Sequence, residues 1–99
     1  MRTATAADTV DIERVTELFR LLGDPTRVRM LYALADGERC VSDLAAAVGA
    51  PETSVSHALR LLRTARVVRS RRSGRMVFYA LDDDHVRQLL EITAEHQQH

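Results

Sequence analysis

The residues with the clearest chemical potential lie near the C-terminal end of the chain, where Asp83, His85, His96 and His99 follow the pattern D-x-H-x10-H-x2-H. Carboxylate and imidazole groups are good ligands for divalent transition metals. In a helix, His85 and His96 lie on nearly the same face but about 16 Å apart along the axis. A single helix therefore cannot close a metal site from these residues.

A second copy of the same helix removes this difficulty. We call Asp83 and His85 the first ligand pair and His96 and His99 the second. If two copies pack antiparallel about a two-fold axis, the first pair of one helix lies opposite the second pair of the other, and two equivalent sites form. Leu89 and Ile92 lie on the same stripe between the two pairs, so the metal seam is also an apolar dimer seam. The alternative is that the histidines are solvated and that 82–84 only complement the helix dipole.

The basic residues of the chain are unevenly distributed, although the formal net charge is zero. All fourteen are arginines, and no acidic residue occurs between Glu52 and Asp82. Arginine is the side chain best suited to bidentate contacts with phosphate and guanine. This stretch therefore favours nucleic acid as a partner over a merely solvated basic face. Its arginines are Arg60, Arg63, Arg66, Arg69, Arg71, Arg72 and Arg75.

Two amphipathic helices precede this region. Apolar residues recur at helical spacing over 10–22 and predict a first helix that Gly23 ends. Asp24 followed by Pro25 predicts the N-cap and first position of a second helix, which continues to 36–37.

The next segment predicts a helix-turn-helix. Ser42 is expected to cap a short third helix that ends at Gly49, and Thr53 or Ser54 opens a fourth. Two short helices joined by a turn that contains glycine describe this motif, whose second helix enters the major groove of DNA. The exposed face of that helix carries the candidate reading residues Ser54, Ser56, His57 and Arg60.

After Ala65 the spacing changes to that of strands. Val67-Val68 and the apolar run over 77–81 flank Arg71-Arg72-Ser73-Gly74-Arg75, which predicts a hairpin with a basic tip. Arg71, Arg72 and Arg75 would contact phosphates or the minor groove. The predicted fold is mostly α with a small β-hairpin, a homodimeric winged helix-turn-helix. One domain spans 1–99, with the helix-turn-helix at about 41–64, the wing at about 67–81 and the C-terminal helix at about 83–98.

Length and composition limit the other possibilities. Ninety-nine residues with 45% hydrophobic content predict one globular domain. The single cysteine, Cys40, excludes an intrachain disulfide and favours a reducing compartment. No apolar run approaches the roughly 18 residues of a membrane span, and the first residues lack a signal-like segment. We therefore expect a cytoplasmic protein with no membrane partner.

These features together resemble the ArsR/SmtB family of winged-helix, metal-responsive transcriptional repressors. The markers are the segments 22–27, 41–45 and 54–59 and the wing pair Gly74-Arg75. The resemblance implies a homodimer that binds double-stranded operator DNA and releases it when metal binds. It also implies ligand roles for Asp83, His85, His96 and His99, as in the zinc- and cobalt-sensing branch.

Departures from the family pattern limit which metal ion the chain is expected to bind. Members with a thiolate site carry a Cys-x-Cys pair near the third helix, whereas this chain has Cys40 and Ser42, so that site is lost. Nickel-sensing relatives add N-terminal ligands, but 1–9 contain neither His nor Cys. Four nitrogen and oxygen ligands suit tetrahedral Zn(II) or Co(II) better than Ni(II). In relatives, the histidine matching His96 reaches a backbone carbonyl near the end of the recognition helix, here around Arg66.

Two other functions are compatible with some of these residues. The first is a winged-helix regulator without a metal response, switched through the Cys40 thiol. Metal-binding stoichiometry distinguishes it from a metal sensor. The second is a small zinc hydrolase, which needs an open coordination position and a nearby base. Four protein ligands close the site, so we expect neither an enzyme nor a small-molecule substrate.

Overall fold

The structure is a computed structural model and describes residues 3–98. It is mostly helical with a two-stranded antiparallel hairpin, which confirms the predicted fold class. Among these residues, no helix is long and apolar enough to cross a membrane. In chain order the elements are a short 3-10 turn at Ala6–Thr9, α1 at Ile12–Leu22, α2 at Pro25–Ala35, α3 at Val41–Val48, α4 at Glu52–Thr64, β1 at Val68–Ser73, β2 at Met76–Leu81 and α5 at Asp84–Gln97.

Side-chain caps determine where the first two helices begin. Asp11 accepts a hydrogen bond from the Arg14 backbone N–H at 3.2 Å, so α1 begins later than the predicted residue 10. Asp24 accepts from the Arg27 N–H at 3.0 Å with Pro25 at the first position, as predicted. The Arg27 side chain also donates through Nε to the Leu21 carbonyl oxygen at 2.6 Å, which ties α2 to the end of α1.

The start of α3 differs from the prediction. Arg39 and Tyr79 exchange two backbone hydrogen bonds, of 3.0 and 2.8 Å, as an isolated antiparallel bridge. This pairing holds the chain extended into Cys40, which becomes the N-cap in place of Ser42. Gly49 ends the helix in the left-handed conformation, with φ of 68°, as expected for a C-terminal glycine.

Helix α4 begins at Glu52, immediately after Pro51, and not at Thr53 or Ser54 as predicted. The chain leaves the helix through Arg66, a non-glycine residue with φ of 60°. A hydrogen bond of 2.9 Å from the Val67 N–H to the Leu62 carbonyl closes this turn. The predicted apolar face is buried, as Val55, Ala58, Leu59 and Leu62 show.

The hairpin pairs Val68 with Leu81 and continues in register to Ser73 opposite Met76. Gly74, with φ of 60°, allows a turn of two residues, so both strands extend close to the tip. The prediction of a five-residue basic tip is therefore wrong. Arg71 and Arg72 lie within β1, and of the predicted tip arginines only Arg75 lies in the turn.

One core joins α2, α3, α4 and the hairpin, and α5 packs against α2 and β2 with Leu90 buried. Helix α4 and the hairpin therefore share one hydrophobic core, which fixes their relative position. The largest fully buried side chains are Met30, Leu31, Leu34, Leu44, Val55, Leu59, Leu62 and Val68.

Candidate DNA-binding surface and metal-binding helix

The candidate reading residues Ser54, Ser56, His57 and Arg60 are all exposed on α4. At about 100° per residue, the centre of the exposed face is formed by Thr53, His57 and Arg60, opposite the buried face. Ser56 lies toward the wing, and Ser54 lies on the far edge. The predicted reading residues do not include Thr53, because the sequence predicts that Thr53 or Ser54 opens the helix. A helix that begins at Glu52 places Thr53 within its first turn.

A cleft of about 420 Å³ separates α4 from β2. Leu59, on the inner face of α4, lines one side of the cleft, and Tyr79 of β2 lines the other. We call it the helix–wing cleft. Its lining residues are Ser56, Leu59, Arg60, Arg63, Thr64 and Tyr79.

A second cleft, of about 380 Å³, continues from the end of α4 onto β1. Arg63 lines both clefts and is joined in the second by Arg66 and Arg69. Asp82 also lines the second cleft, and its carbonyl oxygen accepts a hydrogen bond of 2.8 Å from Arg69 Nη1. The sequence identifies Arg63 as one arginine of the acid-free stretch and predicts no individual role for it. Its spacing of seven residues from Ser56 is the signal that places both on the wing side of α4.

The wing arginines have different surroundings. Arg71 donates to both carboxylate oxygens of Glu38, at 3.2 Å from Nε and 2.5 Å from Nη2, and its guanidinium lies 5.0 Å from the Phe78 ring centre. The hydrogen bond lowers the pKa of Glu38 and raises the pKa of Arg71. Arg72 and Arg75 are exposed. Arg71 is thus held by its own chain, while Arg72 and Arg75 face solvent.

Two of the predicted metal ligands lie together at the start of α5. Asp83 is the N-cap residue, and its Oδ1 accepts a hydrogen bond of 3.0 Å from the Val86 N–H. The other carboxylate oxygen, Oδ2, lies 3.7 Å from Nδ1 of His85. The His85 side chain is 91% exposed and that of Asp83 is 49% exposed. Both donor atoms can therefore be reached from outside the chain.

Of the two remaining predicted ligands, the structure describes only His96, which lies away from this pair. His96 is exposed in the last turn of α5, about 16 Å along the axis from His85, and His99 falls outside the described residues. Within 3–98, no three His, Cys, Asp or Glu side chains form a group that could hold a metal ion. Among its described residues, one chain thus brings together only the pair Asp83 and His85.

Exposed apolar side chains mark two helices. On α5, Leu89 is 37% exposed and Ile92 is 63% exposed, and both lie between the predicted ligand pairs. On α1 no residue is buried, and Ile12 and Phe19 are exposed. These helices therefore present apolar faces that the described chain does not cover.

Cys40 has a different environment from the metal candidates. It is buried, and its Sγ lies 3.3 Å from the Ser42 hydroxyl oxygen. The Cys-x-Ser arrangement thus places a hydroxyl where a second thiol would be needed for a thiolate pair.

Comparison with known proteins agrees with this geometry. Residues 24–70 match the family described as bacterial regulatory protein, arsR family. The chain is 37% identical to the HTH-type transcriptional regulator NmtR of Mycobacterium tuberculosis, over 99% of this chain and 82% of that protein. The chain belongs to the arsR family.

Another relative and a solved structure extend the comparison. The chain is 49% identical over 86 residues to the transcriptional repressor SmtB homolog of Synechocystis sp. PCC 6803, covering 87% of this chain. It spans 65% of that protein's length, slightly under two thirds. The homodimeric winged helix-turn-helix DNA-binding domain of Mb0332 from Mycobacterium bovis superposes with a TM-score of 0.83 at 26% identity, over 99% of this chain and 91% of that one.

The match to the arsR family covers the central elements of the fold. The matched residues run from the cap of α2 through the helix-turn-helix into β1, which includes the whole candidate reading helix. The family and these relatives are regulators and not enzymes. The predicted ligands of α5 lie beyond the matched residues, so their role rests on the geometry of this chain.

Proposed function

We propose that this arsR-family chain is a transcriptional repressor that binds operator DNA as a homodimer and releases it when Zn(II) or Co(II) binds at the C-terminal helices. The observation that carries the proposal is the exposed Asp83–His85 donor pair at one end of α5, joined to His96 at the other end by an uncovered apolar stripe. The similarity to the SmtB homolog, a transcriptional repressor, supports a repressor function.

The homodimer is supported by the shape and surface of the chain. The radius of gyration is 15.4 Å, whereas a compact chain of this length has about 13 Å. The uncovered faces of α1 and α5 hold Phe19 and Ile92, each more than 60% exposed. Burying such a side chain is worth about 1.5–3 kcal/mol. We expect a dimer in sedimentation at micromolar concentration, and a stable monomer there would contradict the proposal.

The donor pair fits a tetrahedral metal ion. Ligand atoms at about 2.0–2.1 Å from a tetrahedral Zn(II) lie about 3.3 Å from each other. The observed separation of 3.7 Å between Asp83 Oδ2 and His85 Nδ1 is close to this value. Asp83 can keep its capping bond through Oδ1 while Oδ2 binds metal. His96 and His99 of a second copy would complete the set, and the metal ion would supply a cross-link between the two helices.

DNA recognition is assigned to α4 and the wing. We place the N-terminal half of α4 in the major groove, with Ser54, Ser56, His57 and Arg60 as the reading residues and Thr53 beside them. Arg72 and Arg75 contact the DNA backbone or minor groove, because both are exposed on the hairpin. Arg71 can join them only by leaving or sharing its bond with Glu38.

Release requires that metal binds the DNA-free conformation more tightly than the DNA-bound conformation. We assign this preference to His96, whose imidazole can bind metal through one nitrogen and donate its other N–H to a backbone carbonyl around Arg66. Such a bond would hold the two reading helices at a spacing that does not fit successive major grooves.

The deciding experiment measures DNA affinity as a function of free metal. A fluorescent duplex selected by the protein from random sequences is titrated with the dimer in solutions buffered for Zn(II), Co(II) or Ni(II). We expect Zn(II) and Co(II) to weaken binding and to saturate at one ion per chain. His85→Ala is expected to abolish the response without changing metal-free affinity. Metal that binds without changing DNA affinity would contradict the proposal and favour a regulator without a metal response.

A second measurement tests the reading residues. Replacing Ser56, His57 or Arg60 with Ala should weaken binding to the selected duplex more than binding to random DNA. Replacing Arg72 or Arg75 with Ala should weaken both equally and reduce the salt dependence. Equal losses on both duplexes for the α4 variants would show that the reading surface lies elsewhere.

A further inference from the structure

We propose that the helix–wing cleft binds a phosphodiester of the DNA backbone and that Arg63 is its principal ligand. This inference rests on the proposed DNA-binding function and adds a site and a residue to it. The cleft has no acidic residue in its lining and presents two arginines and the Ser56 hydroxyl, which suits an anion. The Thr64 hydroxyl donates to the Arg60 carbonyl oxygen at 3.0 Å and is not counted as a donor to the anion.

The position of Arg63 along α4 favours the backbone over the bases. In a helix-turn-helix, the N-terminal residues of the recognition helix contact base edges. Arg63 lies in the last turn of α4, and it is turned toward the wing by about 60° from Arg60. Its guanidinium is therefore placed to meet the strand of DNA that passes between the reading helix and the wing.

The two sides of the cleft are fixed before DNA arrives. Leu59 is buried in the core, and it holds the inner face of α4. On the other side, Tyr79 pairs with Ser70 in the hairpin and with Arg39 in the isolated bridge, so its backbone is held on both edges. A site of fixed width costs little ordering on binding.

The neighbouring cleft is the less suitable of the two for phosphate. It shares Arg63 and adds Arg66 and Arg69, but its lining includes Asp82. The Asp82 carbonyl oxygen also engages Arg69, at 2.8 Å. An acidic side chain in the lining disfavours an anion, so we assign the phosphodiester to the helix–wing cleft.

Arg63→Ala tests the assignment, with Arg14→Ala as a control that removes the same charge from an exposed position on α1. We expect Arg63→Ala to weaken binding to selected and random duplexes alike, by about ten- to one-hundredfold. The slope of log affinity against log salt should fall by about 1.8 for the dimer, which is about 0.9 for the one phosphate contact of each protomer. Arg63→Lys should recover the slope and only part of the affinity, because it keeps the charge but not the fork of donors.

A phosphate scan identifies the partner. In duplexes carrying one neutral methylphosphonate at each position in turn, one position in each half-site should weaken wild-type binding and leave Arg63→Ala binding unchanged. The inference is overturned if Arg63→Ala loses no more than Arg14→Ala, or if every methylphosphonate affects both proteins equally. It is also overturned if inorganic phosphate saturates an Arg63-dependent NMR shift that duplex DNA does not alter. Wild-type protein that binds no duplex would instead refute the proposed function.

Discussion

The Tyr32 hydroxyl oxygen lies 2.7 Å from Thr93 Oγ1 and joins α2 to α5. The same hydroxyl donates to the Leu90 carbonyl oxygen at 2.9 Å. One turn earlier on α5, Arg87 Nη1 donates to the Ala35 carbonyl oxygen at 2.8 Å. Because α2 packs directly on α3, these bonds connect the proposed metal-binding helix to the helix-turn-helix within one chain.

Tyr32→Phe should weaken the coupling between metal and DNA. The change removes the hydroxyl and keeps the ring, so metal affinity and metal-free DNA affinity should remain near wild type. We expect the metal-induced loss of DNA affinity to shrink by about two- to tenfold, the worth of a typical hydrogen bond. Titration of DNA binding at fixed free Zn(II) measures the effect. An unchanged ratio of metal-bound to metal-free affinities would show that coupling does not pass through α2.

Glu38→Gln should strengthen binding to all DNA sequences. Glu38 holds Arg71 through two hydrogen bonds, so the substitution frees this guanidinium for phosphate and removes a negative charge. We expect the salt dependence of the dimer to steepen by up to about 1.8, which corresponds to one additional phosphate contact per protomer. Glu38→Gln combined with Arg71→Ala should lose this gain. A gain that persists in the double variant would mean that general charge, and not Arg71, is responsible.

The same ion pair predicts a pH effect on stability. Arg71 lowers the pKa of Glu38, so the pair stabilises the fold above the ordinary pKa of this carboxyl. The stabilisation is lost as the pH falls through the lowered pKa. We expect urea unfolding to find wild type more stable than Glu38→Gln at neutral pH, with the difference disappearing in acid. The difference should be small, because both side chains are exposed. A difference that grew in acid would contradict the assignment.

The helices and their apolar faces could be predicted from sequence because periodicity and local caps fix them. Asp24 and Pro25 are adjacent to the helix they start, and the burial of Val55 and Leu59 follows from their spacing. The N-cap of α3 could not be found in this way. It depends on the Arg39–Tyr79 bridge between residues distant in sequence, which extends the chain into Cys40.

In the candidate sites too, local features could be predicted from the sequence and contacts between distant residues could not. Spacing placed Asp83 and His85 together at the start of α5, where the structure brings their side chains close. The helix–wing cleft needs the hairpin folded against α4, so no local pattern places Tyr79 beside Arg63. The ion pair of Arg71 with Glu38 could not be predicted either, because the two residues are distant in the sequence.

Arg66→Gly should stabilise the fold. Arg66 has φ of 60°, a left-handed conformation that costs a residue with a Cβ about 1 kcal/mol and costs glycine little. Greater freedom of glycine in the unfolded chain offsets part of this gain, so we expect a net increase of about 0.5 kcal/mol in the free energy of unfolding. Gly49→Ala, at φ of 68°, is the reciprocal control and should destabilise by about 1 kcal/mol. A destabilising Arg66→Gly would mean that its side chain outweighs the backbone strain.

Asp83 is expected to have two separable roles, because its two carboxylate oxygens have different partners. Oδ1 caps α5 through the Val86 N–H, whereas Oδ2 faces His85. Asp83→Asn keeps a good capping oxygen but removes the charge, so metal affinity should fall while the free energy of unfolding changes little.

Asp83→Ala removes both roles and should also destabilise the metal-free protein by about 0.5–2 kcal/mol. His85→Ala is the matched control for loss of a ligand alone, because this side chain is largely solvent-exposed. Urea unfolding without metal and Zn(II) titration of each variant distinguish the two roles. If Asp83→Asn bound Zn(II) as tightly as wild type, the carboxylate would be only a helix cap and the first ligand pair would be wrong.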